Sequence, residues 1–221
     1  MAWLVDCSGR QSRVARQLGV QRLSQDRLIA FCLLFRPAPG QGAKDEDTFT
    51  LIESVPEGWW YSGRIPEGRR VTAFFCDAAT KSARAAQTLD GYLKLLNRTR
   101  HLKDRLEPHA YRPDGEPRAT GAGTSRLERF WGEGWLAAGD AAISFDPLSS
   151  QGILTALYGG LKAAEALQSH LSGNPGALDS YSRDLESVYR HYLHNRSAYY
   201  SSEKRWLDEE FWKNRAAIAP T

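Results

Sequence analysis

The chain has 221 residues, with 29 Lys and Arg against 26 Asp and Glu and a formal net charge of +3. That length buries a real core as one large or two small domains. A composition 42% apolar, 11% aromatic and 25% charged excludes disordered, collagenous and disulfide-stapled classes, and so small a charge excess makes no case for nucleic acid.

The chain opens oddly. Trp3-Leu4-Val5 is a short apolar run that breaks at Asp6-Cys7-Ser8-Gly9-Arg10, after which a helical stretch carries Val14, Ala15 and Leu18 on one face. Strand, small-residue turn and helix make the unit of a parallel α/β sheet, whose strands need neighbours on both sides. The expectation is a chain that begins in the middle of a fold. From Asp26 the rhythm becomes that of strands. Leu28 to Phe35 is followed by a polar loop from Gln41 to Asp47. Thr48 to Val55, Trp59 to Ile65 and Arg70 to Cys76 then form a meander punctuated by Pro56-Glu57-Gly58 and Pro66-Glu67-Gly68. This predicts an antiparallel sheet with one face on a core and the other available to a ligand.

Ser82 to Leu96 reads as one helix capped by Ser82, with Leu89, Leu93 and Leu96 at helical spacing, and His101 to Gly123 as a polar stretch rich in Pro and Gly. Leu136 to Ala138 is a short strand, and a helix runs from about Gln151 to His170 until Gly173-Asn174-Pro175-Gly176 breaks it. The last helix carries Leu178, Tyr181, Leu185, Val188, Tyr192 and Tyr199 in a line that Arg196 continues. The longest apolar run, Ile29 to Phe35, is too short to span a bilayer, and no signal peptide is marked. Cys7, Cys32 and Cys76 lie far apart with no CxxC, which suits small buried hydrophobes in a reducing cytosol. His191 and His194 lack a third ligand and read as surface residues. The expectation is a cytoplasmic protein without metal or membrane contact.

The informative segment runs from Gly134 to Ile153. A buried strand delivers one carboxylate, Asp140, at the end where open α/β sheets bind ligands. Pro147 then fixes the backbone, and a small-residue loop leads into a helix N-terminus at Gln151-Gly152, whose free N–H groups and partial positive charge suit an electron-rich ligand atom. From pattern alone the segment reads equally well as a strand end and a helix cap with no ligand.

Gly139-Asp140, then Pro147, then Gly152 resembles the second flavin-binding motif of the FAD-dependent aromatic hydroxylases and flavin-dependent halogenases. The wording Asp146-Pro147-Leu148-Ser149-Ser150-Gln151-Gly152 is most similar to the tryptophan-halogenase-like branch, which includes flavoproteins that mature quinone-cofactor amine oxidases. The resemblance implies that Asp140 holds the ribityl chain, that Pro147 lies near the isoalloxazine ring, and that the N–H groups of Gly152 and Ile153 meet its pyrimidine edge. Val5 to Arg10 is similar to the Asp-Ala-Thr-Gly-Arg stretch beside the FAD, which adds Gly9 and Arg10. Glu57 to Pro66 resembles the floor of the substrate site, which adds Trp59, Trp60 and Tyr61. The adjacent tryptophans and the longer interval to Ile65-Pro66 depart from the Trp-x-Trp-x-Ile-Pro signature of halogenases, which favours the oxygenase-like or maturation branch. Tyr199-Tyr200, Glu203, Arg205-Trp206 and Phe211-Trp212 resemble the branch's C-terminal helices.

The resemblance implies an α/β flavoprotein, with α+β character in this stretch, of the aromatic-hydroxylase type. It divides the chain into a remnant of the FAD-binding domain (1–25), an antiparallel substrate-domain sheet with a helix (26–118), the Gly-Asp motif and its helix (119–170), and C-terminal helices (171–221). The implied activity is flavin hydroperoxide oxidation of an aromatic or indole-like molecule or of a protein side chain, with FAD reduced by NAD(P)H or a separate reductase. The alternatives are a halogenase or a non-catalytic relative that binds a ligand or partner. The family's strand–GxGxxG–helix unit for the FAD pyrophosphate has no counterpart, because Gly40-Gln41-Gly42 and Gly121-Ala122-Gly123 read as turns. Hence the expectation of a C-terminal portion, of one half completed by a separate polypeptide, or of a degenerate relative. No catalytic base is named, since in such chemistry the cofactor carries the oxygen step.

Overall fold

A computed structural model describes residues 2–40 and 42–216, so that Gln41 of the polar loop lies outside the described residues. Two units divide them, one formed by 2–26 with 123–199 and the other by 27–122 with 200–216. The segment 171–221 is thus shared between the two.

Strand β1 (Leu4–Asp6) ends on a carboxylate that organises the adjoining turn and helix. Asp6 is buried and accepts from the Ser8 N–H (3.0 Å) and hydroxyl (2.6 Å), and from the Val14 and Ala15 N–H groups (3.0 and 3.1 Å). One side chain therefore closes the turn and caps helix α1 (Arg13–Gln17). Of the expected face only Ala15 is buried. The helix lasts five residues, and Leu18 is its C-cap and exposed. Strand β2 (Arg22–Ser24) comes next.

In the second unit β3 (Leu28–Pro37), β4 (Leu51–Val55), β5 (Gly58–Arg64) and β6 (Arg70–Asp77) build the antiparallel sheet that the apolar runs predict. Strands β4, β5 and β6 form the meander, and β3 lies against β6 with Leu28 opposite Asp77 and Phe35 opposite Arg70. The single helix expected over 82–96 is two, α2 (Lys81–Ala85) and α3 (Leu89–Leu96), and the first cap is Thr80 rather than Ser82. The Thr80 hydroxyl accepts from Ala83 N–H, and the Thr88 hydroxyl accepts from Gly91 N–H, opening a second helix start where the apolar spacing ran through.

The stretch 101–123, polar and rich in Pro and Gly, holds helix α4 (His101–Leu106) and strands β7 (Tyr111–Pro113) and β8 (Arg118–Gly121), both paired with β3. Helix α4 is capped from a distance, since the Glu53 carboxylate on β4 accepts from Arg100 N–H (2.7 Å) and Leu102 N–H (2.8 Å). A cap 47 residues away leaves no local signal. Phe31, Leu33, Phe35, Trp60 and Phe74 form a core with Ala83, Tyr92, Leu96, Leu102 and Leu106 of the helices.

The chain then returns to the first unit with β9 (Ser125–Leu127), β10 (Trp131–Gly132), β11 (Trp135–Ala137) and β12 (Ile143–Ser144). Strand β1 runs parallel to β11, β10 antiparallel to it, and β9 lies between β2 and β12. Helices α5 (Gly152–Leu171), α6 (Ala177–Ser202) and α7 (Glu210–Ala216) complete the described chain. On α6 the buried line is Leu178, Tyr181, Leu185, Tyr189, Tyr192, Arg196 and Tyr200. Its period of eleven residues per three turns carries it to Tyr200, whereas Tyr199, expected on the line, is exposed.

The cysteines depart from expectation. Cys76 is buried, which pushes its thiol up to about 12, but Cys32 is half-buried and Cys7 exposed. Among the described residues no helix is long and apolar enough to cross a membrane, and no three His, Cys, Asp or Glu side chains are grouped to hold a metal. Removing the distant cap by Glu53→Ala is expected to cost about 1–2 kcal/mol, read as a shifted urea midpoint, with hydrogen-exchange protection lost first over 101–106.

Candidate functional site

The first unit contains an open cleft of roughly 600 Å³ lined by Cys7, Gly9, Ala138, Gly139, Asp140, Gly152, Ile153, Ala156 and Gly160. Strand β11 delivers the chain to Gly139, which has φ +57°, in the left-handed region that suits glycine. The tight turn Gly139–Ala141 then lifts Asp140, half-exposed, to the rim. Helix α5 crosses directly over this turn. A Cβ at Gly159 would lie 3.2 Å from the Gly139 nitrogen, and one at Gly139 would lie 3.4 Å from Ala156. Gly159, inside a twenty-residue helix where glycine is normally a destabilising choice, permits this approach and marks the crossing in the sequence, outside the motifs recognised there.

The helix start faces the same cleft. Gln151, its N-cap, contributes no side-chain hydrogen bond, and Cβ atoms at Gly9, Gly152 and Gly160 would meet nothing within 4 Å. The first turns of α5 are apolar and exposed, with Ile153 at 81% and Leu157 at 70%. Strand β1 is an edge strand in its sheet, and its Leu4 and Val5 are exposed as well.

Two arginines hold the Asp140 turn. Arg10 donates to the carbonyls of Gly123 and Phe145, both at 2.5 Å, and its Nε lies 3.7 Å from the Asp140 carboxylate. Arg22 lies beneath, donating to the Asp140 and Ala141 carbonyls at 3.0 Å each. Burial, followed by repulsion from Arg10, draws its guanidinium down to about 10, still far above neutrality. Arg22 belongs to no motif, and nothing local in the sequence marks it.

The Pro147 turn is set from behind. The Asp146 carboxylate caps it by accepting from Leu148 N–H at 3.0 Å, and the Asp146 N–H donates to the Tyr192 hydroxyl at 2.9 Å. Arg196 reaches Asp146 at 3.4 Å and Asp26 at 2.7 Å, with all three side chains nearly closed to solvent. This explains an arginine in the apolar line of α6. Phe145 stacks on Tyr192 with ring centroids 4.0 Å apart.

Of the residues singled out from sequence, Gly9, Gly139, Asp140, Gly152 and Ile153 line one cleft, while Arg10 meets Asp140 and Pro147 stands exposed on its own turn. The aromatic trio lies in the second unit. Trp60 is stacked on Phe74 in the core and borders a cavity of only about 40 Å³, too small for an aromatic substrate. Trp59, on the opposite face, stacks on Phe75 and donates to the Tyr200 hydroxyl at 3.1 Å, so that this face is covered there rather than open. Tyr61 is half-buried. Of the four cations Arg98, Arg100, Lys103 and Arg105, which lie close together in the sequence, Arg98 pairs with Glu57, Lys103 with Glu107 and Arg105 with Asp47. His191 and His194 are exposed.

A family model described as tryptophan halogenase matches residues 1–220. LodB of Marinomonas mediterranea, named as an FAD-dependent oxidoreductase, is 29% identical over 224 residues, covering 98% of this chain and 57% of its own. The crystal structure of CmlS, a flavin-dependent halogenase, aligns with a TM-score of 0.79 at 25% identity, over 96% of this chain and 39% of that one. QhpG, a peptidyl tryptophan dihydroxylase, aligns with a TM-score of 0.65 at 22% identity over 88% of this chain and 44% of its own, a likeness of fold alone. The chain therefore spans little more than half the length of the curated relative it matches from end to end.

Replacing Arg196 by Leu removes the cation that Asp26 and Asp146 share and is expected to cost about 3–5 kcal/mol in denaturant unfolding. Asp6 supplies a pH test. Burial pushes its carboxyl up, but the hydrogen bonds from Ser8, Ala15 and Val14 outweigh burial and hold it below its ordinary value of 3.8. Its stabilisation is therefore full above that value and lost as pH falls through its own lower one. Asp6→Asn should be less stable than the natural chain at neutral pH, and the gap between the two denaturation midpoints should close as acid is added.

Proposed function

The chain belongs to the tryptophan halogenase family, whose cofactor is FAD, and from that premise we propose that its first unit supplies the ribityl-and-ring half of an FAD site. One observation carries the reading: a single rim carboxylate, Asp140, shares an apolar cleft with the uncapped start of a long helix. The donor set fits the group. Asp140 would accept from polyol hydroxyls, and the Gly152 and Ile153 N–H groups, at the positive end of the α5 dipole, would hold the electron-rich part of the ring. The glycine-lined space leaves room for a flat heterocycle. FAD, when bound, supplies the two-electron and oxygen chemistry. The chain's own residues bind and orient it, keep water from the ring along the apolar start of α5, and stabilise negative charge near the helix start.

For the whole protein we propose oxidation of an aromatic or indole-like small molecule, or of an aromatic side chain in a protein, with electrons from NAD(P)H or a separate reductase. Halogenation is the second reading, and the adjacent Trp59 and Trp60 favour oxygenation over it. The exposed apolar surface of Leu4, Val5, Ile153, Leu154, Leu157 and Leu161 supports a further element of this reading. A dinucleotide-binding portion, in the same chain or as a separate polypeptide, covers that surface and brings the pyrophosphate and adenosine contacts. A relative that binds without catalysis would keep the cleft and lose only turnover.

The test is titration of the purified chain, monitored by quenching of flavin fluorescence. Riboflavin and FAD should bind with similar affinity, because these residues contact only the half the two ligands share. Asp140→Ala should weaken both by roughly tenfold to a hundredfold, and Gly152→Val should abolish binding by filling the ring's place. Unaltered affinity in both variants would place the flavin elsewhere.

A further inference from the structure

Arg22 opens β2, and all five of its guanidinium N–H donors are engaged. Its Nε donates to the Ser125 hydroxyl (3.0 Å). One terminal nitrogen donates to the Ser12 hydroxyl (2.5 Å) and the Ala141 carbonyl (3.0 Å), and the other to the Asp140 carbonyl (3.0 Å) and the Ser144 hydroxyl (2.5 Å). Two of its partners donate onward to the same turn, since Ser144 meets the Asp140 carbonyl at 2.8 Å and Ser12 the Ala141 carbonyl at 2.7 Å. Each of these two successive carbonyls thus receives a guanidinium N–H and a hydroxyl.

We infer that Arg22 is a positioning residue for flavin binding: by fixing both carbonyls of the Gly139–Ala141 turn from below, it aims the Asp140 carboxylate at the ribityl chain. The inference rests on the reading of Asp140 as the ribityl acceptor. The backbone here needs such a support. Gly139 is left-handed, the turn is a single residue either side of Asp140, and α5 presses on it from above through Gly159. Arg10 holds the carboxylate itself at 3.7 Å, and its own guanidinium is fixed on the carbonyls of Gly123 and Phe145. Arg10 therefore sets where the side chain ends, and Arg22 sets where it starts. A lysine at position 22 offers three donors from one point and cannot span two successive carbonyls.

Two probes separate positioning from general support. Riboflavin carries the ribityl chain, and lumiflavin has a methyl group in its place. Arg22→Lys and Arg22→Gln should weaken riboflavin binding on the order of tenfold and leave lumiflavin binding unchanged, as Asp140→Ala should. The double variant Arg22→Gln/Asp140→Ala should bind riboflavin no worse than Asp140→Ala alone, because Arg22 acts through that carboxylate. If neither Arg22 variant folds, Ser144→Ala removes one of the shared contacts and should show the same selectivity at smaller amplitude. Equal weakening of both probes, or no effect at Arg22 while Asp140→Ala weakens riboflavin, would overturn the positioning role and leave the site standing. Indifference of riboflavin to Asp140→Ala would instead overturn the site.

Discussion

Where α5 crosses the turn after β11, helix and turn approach closely through two glycines, Gly159 and Gly139. A Cβ at Gly159 would come within 3.2 Å of the Gly139 nitrogen, and one at Gly139 would come within 3.4 Å of Ala156, one turn earlier on the helix. This contact sets the distance between a strand end and a helix start, and so the shape of the cleft between Asp140 and Gly152. A side chain at Gly159 would force the helix and the turn apart by a few tenths of an ångström. Gly159 weakens the helix locally, and that loss is the cost of the close approach.

Around this contact the first unit relies on buried charge. Asp6 closes the turn after β1, Arg22 fills the space under Asp140, and Arg196 joins Asp26 to Asp146. Apolar residues would fill such positions at less desolvation cost, but they cannot dictate the direction of a backbone carbonyl. Each of these groups ends on a turn that lines or adjoins the cleft. In the second unit the largest side chains, Trp59 and Trp60, are instead given to stacking on Phe75 and Phe74.

The parts legible in the sequence were those encoded by neighbours in the chain. The meander over 51–77, the small-residue turn after Ala138 and the glycine-bounded start of α5 all carry their own punctuation. The Gly-Asp segment could be placed at a strand end beside a helix start, where it borders the cleft, because strand, carboxylate, proline and helix start succeed one another within about twenty residues. The parts that were not legible depend on distant partners. Helix α4 starts because Glu53 on another strand caps it, and β7 and β8 exist because β3 offers them an edge. Arg22 is one arginine among many until the Asp140 carbonyl comes within reach. Tyr199 and Tyr200 were separable only by the pitch of α6, one being exposed and the other buried.

The parallel pairing of β1 with β11 carries a kinetic consequence. Ser12 finds the Ala141 carbonyl across 129 positions of sequence, and Arg10 finds Gly123 across 113. The intervening residues are most of the second unit. On a ribosome β1 must wait, its backbone unpaired with β11, until that partner has been synthesised, and β2 waits likewise for β9, so the entropy of closing so long a loop falls on the joining of these two pairs. A chaperone that shields β1 during this interval would cover an unpaired strand edge, a template for aggregation.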